Sequence, residues 1–228
     1  MQANSVRNQS SVIEVDAPKD QAREMVVRSA TELAGKRLLD ISIAIVALTI
    51  LLPFVILIAF AVKLQDGGPI IYRRRVVGPK GQFDAYKFRS MHVDADAALE
   101  GNPALREAFK KNFKLIYDPR VTPLGVWLRR FSLDEIPQLV NVLKGEMSLV
   151  GPRMITLEEL AKYEELSDLL LTVKPGLTGY WQVHGRQNVD YGDRVRMDIW
   201  YIQNWSLSLD VKLLMMTPFS VIRGVGAY

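Results

Sequence analysis

Cysteine is absent from this sequence of 228 residues, and histidine occurs only twice, at His92 and His184. A chain without cysteine cannot form a disulfide bond, a thiolate metal site or a cysteine nucleophile. Two histidines alone also make a histidine-rich metal site a poor explanation of function. Any catalytic chemistry must therefore come from carboxylates, hydroxyl groups and basic side chains.

Charged residues are also missing from one long apolar run, Ile41–Val62. A straight helix of about 22 residues is about 33 Å long, which is enough to cross a hydrocarbon core of about 30 Å. The run therefore predicts a membrane-embedded helix, and it predicts that any active site lies beside the membrane.

The path of this helix has two interpretations. Pro53 lacks an N–H group and should kink or break the helix. Basic residues flank both ends of the run, with Lys36 and Arg37 before it and Lys63 and Arg73–Arg75 after it. Because basic flanks favour the cytoplasm, a re-entrant helix–break–helix satisfies both ends. A kinked single span is the alternative, since membrane helices tolerate proline.

Basic charge is concentrated just after the apolar run, although the net charge is only +4. Between Lys63 and Arg89 there are seven basic and two acidic residues. Such a strip beside a bilayer favours anionic lipids or a phosphorylated substrate, and Lys87 and Arg89 are candidate phosphate ligands within it. Nucleic acid binding is a weaker alternative, because a membrane anchor has little use there.

Hydrophobic patterning predicts a mainly helical fold with one small β-hairpin. The hairpin strands are predicted at 70–77 and 82–89, around the turn Gly78–Gly81. Aromatic residues near cations at the C-terminal end favour either an interfacial amphipathic helix or ordinary core packing. Helices are predicted over 94–113, 124–130, 132–143, 157–171, 191–201 and 209–221, and a loop over 174–179.

Two adjacent acids, Asp134 and Glu135, follow two adjacent arginines, Arg129 and Arg130. A structural interpretation is a capping box, in which Ser132 caps a helix whose third residue is Glu135. A functional interpretation is phosphoryl transfer, in which arginine neutralises a phosphate and Mg²⁺ offsets the remaining charge. Asp134 would then be a nucleophile that forms an acyl-phosphate.

Three further turns place polar residues beside glycine. Arg153 ends a Gly-Pro-Arg turn, Thr178 lies between two glycines, and Arg186 follows Gly185. Glycine lets a backbone approach a ligand closely. Arginines on separate turns of a membrane-bound chain favour a diphosphate ligand, although each turn alone also fits surface charge.

These motifs together resemble one family. The segments Ser132–Gln138, Asn141–Arg153, Lys174–Gly179 and Trp181–Arg186 are similar to the bacterial sugar transferases, the monotopic phosphoglycosyl transferases that start glycan assembly. The resemblance extends over residues 33–225 and is strongest to short exopolysaccharide-initiating enzymes.

The resemblance implies a reaction. A UDP-sugar, commonly UDP-galactose or UDP-glucose, would give its sugar phosphate to undecaprenyl phosphate and release UMP. Asp134 would attack the β-phosphate and contact Mg²⁺, Glu135 would assist with protons or metal placement, and Arg129 and Arg153 would bind phosphate. The family also implies a re-entrant helix broken at Pro53.

The resemblance also implies an organisation. The polar, mixed-charge residues 1–32 predict a mobile tail, whereas the resemblance implies that 33–64 is the re-entrant membrane helix and 65–228 a catalytic domain with membrane-interface helices. That domain would face the cytoplasm at the bacterial inner membrane and contact membrane lipids, and a homodimer is plausible.

Three positions depart from the family pattern. The family often has Ser or Thr at the position of Leu52, Pro at that of Met154, and Asn at that of His184. None of these departures affects Asp134, Glu135 or Arg129. Two other functions are compatible with the residues: a non-catalytic membrane scaffold of polysaccharide assembly, and a glycosyltransferase that releases UDP.

Overall fold

The computed structural model describes residues 28–113, 115, 117–184 and 189–222. Most of the predicted tail therefore lies outside the described residues. The first helix, α1, is Ala30–Asp66. It begins at a capping box, in which Ser29 accepts from the Glu32 N–H and the Glu32 carboxylate accepts in return. It ends at Gly67, whose left-handed conformation favours glycine.

Pro53 lies inside α1 and does not divide it into two helices. The predicted break into separate helices is therefore not observed. One missing N–H removes one backbone hydrogen bond, and the neighbouring bonds of a long apolar helix can carry it past that point. The re-entrant path of this helix stays a prediction.

The surface of α1 is largely apolar. Among the described residues, α1 alone is long and apolar enough to cross a membrane. Many of its large side chains are exposed, including Leu52, Phe54, Leu57 and Phe60. An exposed apolar surface of this size favours a lipid environment over water.

The predicted hairpin is confirmed. Strands β1 (Ile71–Gly78) and β2 (Gly81–Phe88) pair antiparallel, from Ile71 opposite Phe88 to Gly78 opposite Gly81. The side chain of Asn141 holds this hairpin against a later helix, since its Oδ1 accepts from the Tyr86 N–H at 3.0 Å and its Nδ2 donates to the Asp84 carbonyl at 2.8 Å.

The rest of the described chain is mainly helical, as predicted. The elements are α2 (Ala95–Glu100), α3 (Pro103–Asn112), α4 (Pro123–Arg130), a 3₁₀ turn (Leu133–Glu135), α5 (Gln138–Lys144), α6 (Leu157–Leu160), a 3₁₀ segment (Ala161–Leu166), α7 (Ser167–Leu170), α8 (Tyr180–His184), α9 (Tyr191–Gln203) and α10 (Leu207–Ile222).

Two predicted helices are shorter or divided. The helix predicted over 94–113 is interrupted at Asn102, which caps α3 through its side chain. The helix predicted over 157–171 is divided because Glu164 has a φ of 48°, outside the helical region.

A second, parallel strand pair lies at the centre of the fold. Strand β3 (Ser148–Val150) pairs with β4 (Gly176–Thr178), in the segment for which the sequence predicted a loop. The glycines of this segment serve chain packing, because a Cβ atom on Gly176 or Gly179 would collide with the backbone of Gly151. The predicted open loop is therefore wrong at 176–178.

Changing Gly176 to Ala tests this close backbone contact. We expect Gly176→Ala to lower the free energy of unfolding by about 1–3 kcal/mol, because neither backbone can move away easily. Gly35→Ala is the matched control, since its added Cβ would meet Leu207 at an ordinary 3.7 Å and alanine favours helices. Equal unfolding midpoints for the two variants would contradict the expectation.

The C-terminal aromatic residues divide between the two predicted roles. Tyr201 and Trp205 are buried in the core, whereas Met215 and Phe219 on α10 are exposed. The exposed pair is compatible with a helix in the membrane interface, and the buried pair fits ordinary core packing.

Candidate active site

The adjacent acids Asp134 and Glu135 lie on the short 3₁₀ turn between α4 and α5. The predicted capping box is wrong, because Ser132 has a left-handed backbone (φ 55°) and makes no capping hydrogen bond. The helix α5 begins only after Pro137. The two carboxylates are therefore displayed by a tight turn rather than by the first turn of an α-helix.

Basic side chains surround the two carboxylates. The Lys87 Nζ lies 2.6 Å from Glu135 Oε1 and 3.9 Å from Asp134 Oδ2. Arg153 Nη2 lies 3.6 Å from the same Glu135 oxygen. Lys87 is on β2 and Arg153 follows β3, so the hairpin and the parallel pair both contribute charge to this site.

Burial affects the two acids differently. Burial raises the pKa of Asp134, and Lys87 opposes the rise. Burial also acts on Glu135, but Lys87 and Arg153 outweigh it and lower the pKa of Glu135 to about 2. Glu135 is thus a permanent anion paired with cations, and Asp134 is a desolvated carboxylate whose charge depends on its neighbours.

Arg129 lies beside this pair on α4. Its Nε donates to Ser90 Oγ at 2.9 Å. Burial lowers its pKa, and the charge of Asp134 opposes that change. The structure therefore brings together Asp134, Glu135, Arg129, Lys87 and Arg153, five of the side chains that the sequence singled out.

The other predicted site residues do not contact the acidic pair in the described structure. Arg89 pairs with Asp66 at the end of α1, although it also lines the cavity. Thr178 is buried and shares a hydrogen bond of 2.9 Å with Thr217. Arg186 lies outside the described residues, so its role stays a prediction.

Asp134, Glu135 and the three cations around them line a cavity of about 1250 Å³. Its walls include apolar residues of α1 and α10 beside the charged turn, so one cavity offers both an apolar and a cationic environment. The apolar wall residues include Ile43, Ala47, Leu51, Leu214, Pro218 and Val221.

Sequence inspection missed several polar residues of this cavity. Ser90, Arg194 and Asp198 line it and belong to no glycine turn or acidic pair, and Trp181 lines it at the start of the segment Trp181–Arg186, where it was given no role. Arg194 and Asp198 are four residues apart on α9, a helical spacing that places both on one face. That spacing is the signal that could have identified them.

Asp198 gives a test of this buried environment. Burial raises its pKa to about 7, although the Tyr163 hydroxyl, the Arg153 backbone N–H and the charges of Arg153 and Arg194 oppose the rise. The folded protein then binds a proton that the unfolded chain releases near pH 4. The free energy of unfolding should therefore fall as the pH rises from 4 to 7, by up to about 1.4 kcal/mol per pH unit.

We expect Asp198→Asn to remove this part of the pH dependence, because asparagine does not ionise and can still accept from Tyr163. Chemical unfolding of wild type and variant in detergent at pH 5 and pH 7.5 measures the difference. Parallel stability curves for the two proteins would contradict the assigned pKa of Asp198.

The fold and the site together define a class of protein. It has a helical domain with one long apolar helix, and its cavity combines an acidic pair, several cations and an apolar wall. The sequence model of the bacterial sugar transferases matches residues 31–224. The chain belongs to this family.

Named relatives agree with this assignment. The chain is 48% identical over 198 residues to an uncharacterized sugar transferase of Haemophilus influenzae, covering 85% of this chain and 42% of the relative. It is 47% identical to the undecaprenyl-phosphate galactose phosphotransferase of Salmonella typhimurium, covering 85% and 41%. It is 44% identical to the exopolysaccharide production protein ExoY of Sinorhizobium fredii, covering 85% and 88%. The chain thus spans less than half of the first two relatives and most of the third.

Proposed function

We propose that this protein transfers hexose 1-phosphate from a UDP-sugar to undecaprenyl phosphate and releases UMP. The observation that carries the proposal is the buried Asp134 beside Glu135, Lys87, Arg129 and Arg153 in one cavity. The Salmonella relative is named for galactose phosphate transfer, and an Escherichia coli relative, 39% identical over 202 residues, for glucose 1-phosphate transfer. These names support galactose or glucose as the sugar.

The first step forms a covalent intermediate. The Asp134 carboxylate attacks the β-phosphorus of the UDP-sugar, and the bond from that phosphorus to the bridging oxygen breaks. The electron pair leaves on UMP, and the phospho-sugar remains as an acyl-phosphate on Asp134. In the second step an oxygen of the lipid phosphate attacks the same phosphorus, frees the carboxylate and gives the lipid diphospho-sugar.

The neighbouring side chains supply positioning and charge. Lys87 and Arg129 oppose the rise that burial causes in the pKa of Asp134, and they attract the substrate phosphate, which two carboxylates alone would repel. Glu135 fixes the Lys87 ammonium through a contact of 2.6 Å. A cation held in place before the reaction stabilises developing charge without reorganisation.

The apolar wall of the cavity supports a lipid acceptor. Ile43, Ala47 and Leu51 of the membrane helix α1 line the same cavity as the acidic pair. A polyprenyl chain can therefore follow α1 while its phosphate reaches Asp134.

The site also fits Mg²⁺. Proteins hold Mg²⁺ with one or two carboxylates together with substrate phosphates and water. Among the described residues no group of three or more acidic or histidine side chains could hold a metal, but Asp134 and Glu135 supply the two carboxylates. Asp134 and Glu135 would hold the ion, which when bound neutralises charge on the diphosphate.

The ends of α1 support a re-entrant path at the inner membrane, with the catalytic domain in the cytoplasm. Near its start, Asp40 accepts from the Leu149 N–H at 2.9 Å, and near its end Arg89 donates to the Val62 carbonyl at 3.4 Å. Both ends thus contact one domain, which favours both lying on one side of the membrane.

Single introduced cysteines test this topology without background labelling, because the sequence contains no other cysteine. Thr31→Cys, Pro69→Cys and the reference Lys80→Cys should all react with an impermeant maleimide only in inverted inner-membrane vesicles. Labelling of Thr31→Cys and Pro69→Cys from opposite sides would contradict the re-entrant path.

Nucleotide release tests the reaction. Purified protein in lipid particles receives UDP-galactose or UDP-glucose with undecaprenyl phosphate and Mg²⁺. We expect UMP, with the preferred donor naming the sugar. Release of UDP would instead establish a glycosyltransferase, and no nucleotide from a broad donor panel would favour a non-catalytic scaffold.

A further inference from the structure

Beyond the acidic pair, the cavity contains a second group of charged residues. Arg153 and Arg194 both place their guanidinium groups over the Trp181 ring, with Cζ atoms 5.6 and 4.9 Å from the ring centre. We call Arg153, Trp181 and Arg194 the arginine–tryptophan cluster. All three line the cavity that contains Asp134.

Arg194 makes no ion pair or side-chain hydrogen bond with the part of the chain that the structure describes, and its Nε is buried without a partner. The Trp181 Nε1 beside it is also buried and unpartnered, in a side chain that is 6% exposed. Arg194 is half-buried, and a guanidinium whose Nε is buried without a partner costs free energy, so this arrangement is expected where a ligand supplies the anion.

Two further features indicate that Arg194 lowers the stability of the folded protein when no ligand is bound. Burial lowers its pKa, and the charge of Arg153 lowers it further. Arg194 also lies in the first turn of α9, where the helix dipole disfavours a cation. By contrast, Arg196 on the same helix is exposed and pairs with Asp193 at 2.5 Å.

The cluster is linked directly to the proposed nucleophile. Lys87 lies 3.9 Å from Asp134 and 2.6 Å from Glu135, and Glu135 lies 3.6 Å from Arg153. Arg153 therefore lies between the acidic pair and Arg194. A diphosphate with its β-phosphate at Asp134 has its next phosphate one bridging oxygen away, within reach of this second group of cations.

We propose that Arg194, together with Arg153, binds the α-phosphate of the nucleotide sugar and stabilises the departing UMP. This inference rests on the proposed function. When the bridging bond breaks, the α-phosphate gains one negative charge, and Arg194 forms no salt bridge with a described carboxylate, since Glu159 and Asp198 act on it only at longer range. Arg129 and Lys87 already contact Ser90 and Glu135, and they remain with the β-phosphate.

The test separates leaving-group binding from structure. Without lipid acceptor, the first step is reversible, so labelled UMP exchanges into unlabelled UDP-sugar. Removing one preorganised donor typically costs about 10²–10³-fold in rate. We expect Arg194→Met to slow this exchange about 100-fold and to weaken inhibition by UMP at least about 10-fold, while Arg194→Lys recovers part of both.

Arg196→Met is the matched control, because it removes the same side chain two residues away on the exposed face of α9. It should match wild type in exchange and in UMP inhibition. The thermal unfolding midpoint with and without UMP gives a second readout: UMP should raise it in wild type and Arg196→Met, and barely in Arg194→Met.

If Arg194→Met exchanges UMP and is inhibited by UMP as strongly as the wild type, the inference is overturned while the proposed function stays intact. A wild-type protein that releases no UMP would overturn the proposed function itself. If Arg194→Met does not unfold cooperatively, Arg194→Ala takes its place, and UMP inhibition at the wild-type level in a cooperatively folded Arg194→Ala would likewise overturn the inference.

Discussion

Asp134→Asn is expected to lower UMP release by at least about 10⁴-fold, because an amide cannot form the acyl-phosphate. The substitution changes one oxygen to nitrogen at a side chain that is 7% exposed. Since burial already raises the pKa of Asp134, the folded protein disfavours its charge, and loss of that charge should leave stability unchanged or slightly higher. UMP release and thermal unfolding of the same preparation measure both effects.

The matched control for this prediction is Asp168→Asn, which makes the same chemical change at an exposed position on α7. It should retain wild-type UMP release. Polymer production that persists with Asp134→Asn would remove Asp134 from catalysis and would move the scaffold interpretation forward.

The sequence was informative where structure is local. The hairpin is correct to within one residue at each strand end, because β1 and β2 are neighbours in the chain joined by Gly78–Gly81. The long apolar helix is also found, since an uninterrupted apolar run needs no tertiary information.

Prediction failed where distant segments decide the conformation. Strands β3 and β4 are short, and their parallel pairing joins Ser148 to Gly176 across a long stretch of chain. The left-handed Ser132 is another case, because the side chain favoured a cap while the fold used the position for a tight turn.

The candidate site was half predictable for the same reason. Asp134, Glu135 and Arg129 lie within seven residues of one another in the sequence, and the family motif singled them out. Arg194 and Trp181 become a cluster only when α8 and α9 pack together, which no local pattern encodes. The unpartnered guanidinium is visible only in three dimensions.

Asp210 attaches the long apolar helix α1 to the rest of the described chain. Asp210 on α10 is 1% exposed, and its carboxylate lies 2.5 Å from the Lys36 Nζ of α1. Tyr201 donates to it at 2.7 Å and the Trp205 indole at 3.0 Å. This carboxylate therefore joins α1, α9 and α10, with every close partner acting as a donor.

We expect Asp210→Asn to lower the free energy of unfolding by about 3–5 kcal/mol, because the partly buried Lys36 loses its salt-bridge partner and two buried donors lose a charged acceptor. The matched control is Asp193→Asn, which breaks the exposed pair with Arg196 and should cost less than about 1 kcal/mol. Adding Lys36→Met to Asp210→Asn should recover part of the loss, since the uncompensated charge is then gone. Chemical unfolding in detergent measures all three, and an Asp210→Asn protein as stable as Asp193→Asn would show that this buried pair does not hold the membrane helix to the domain.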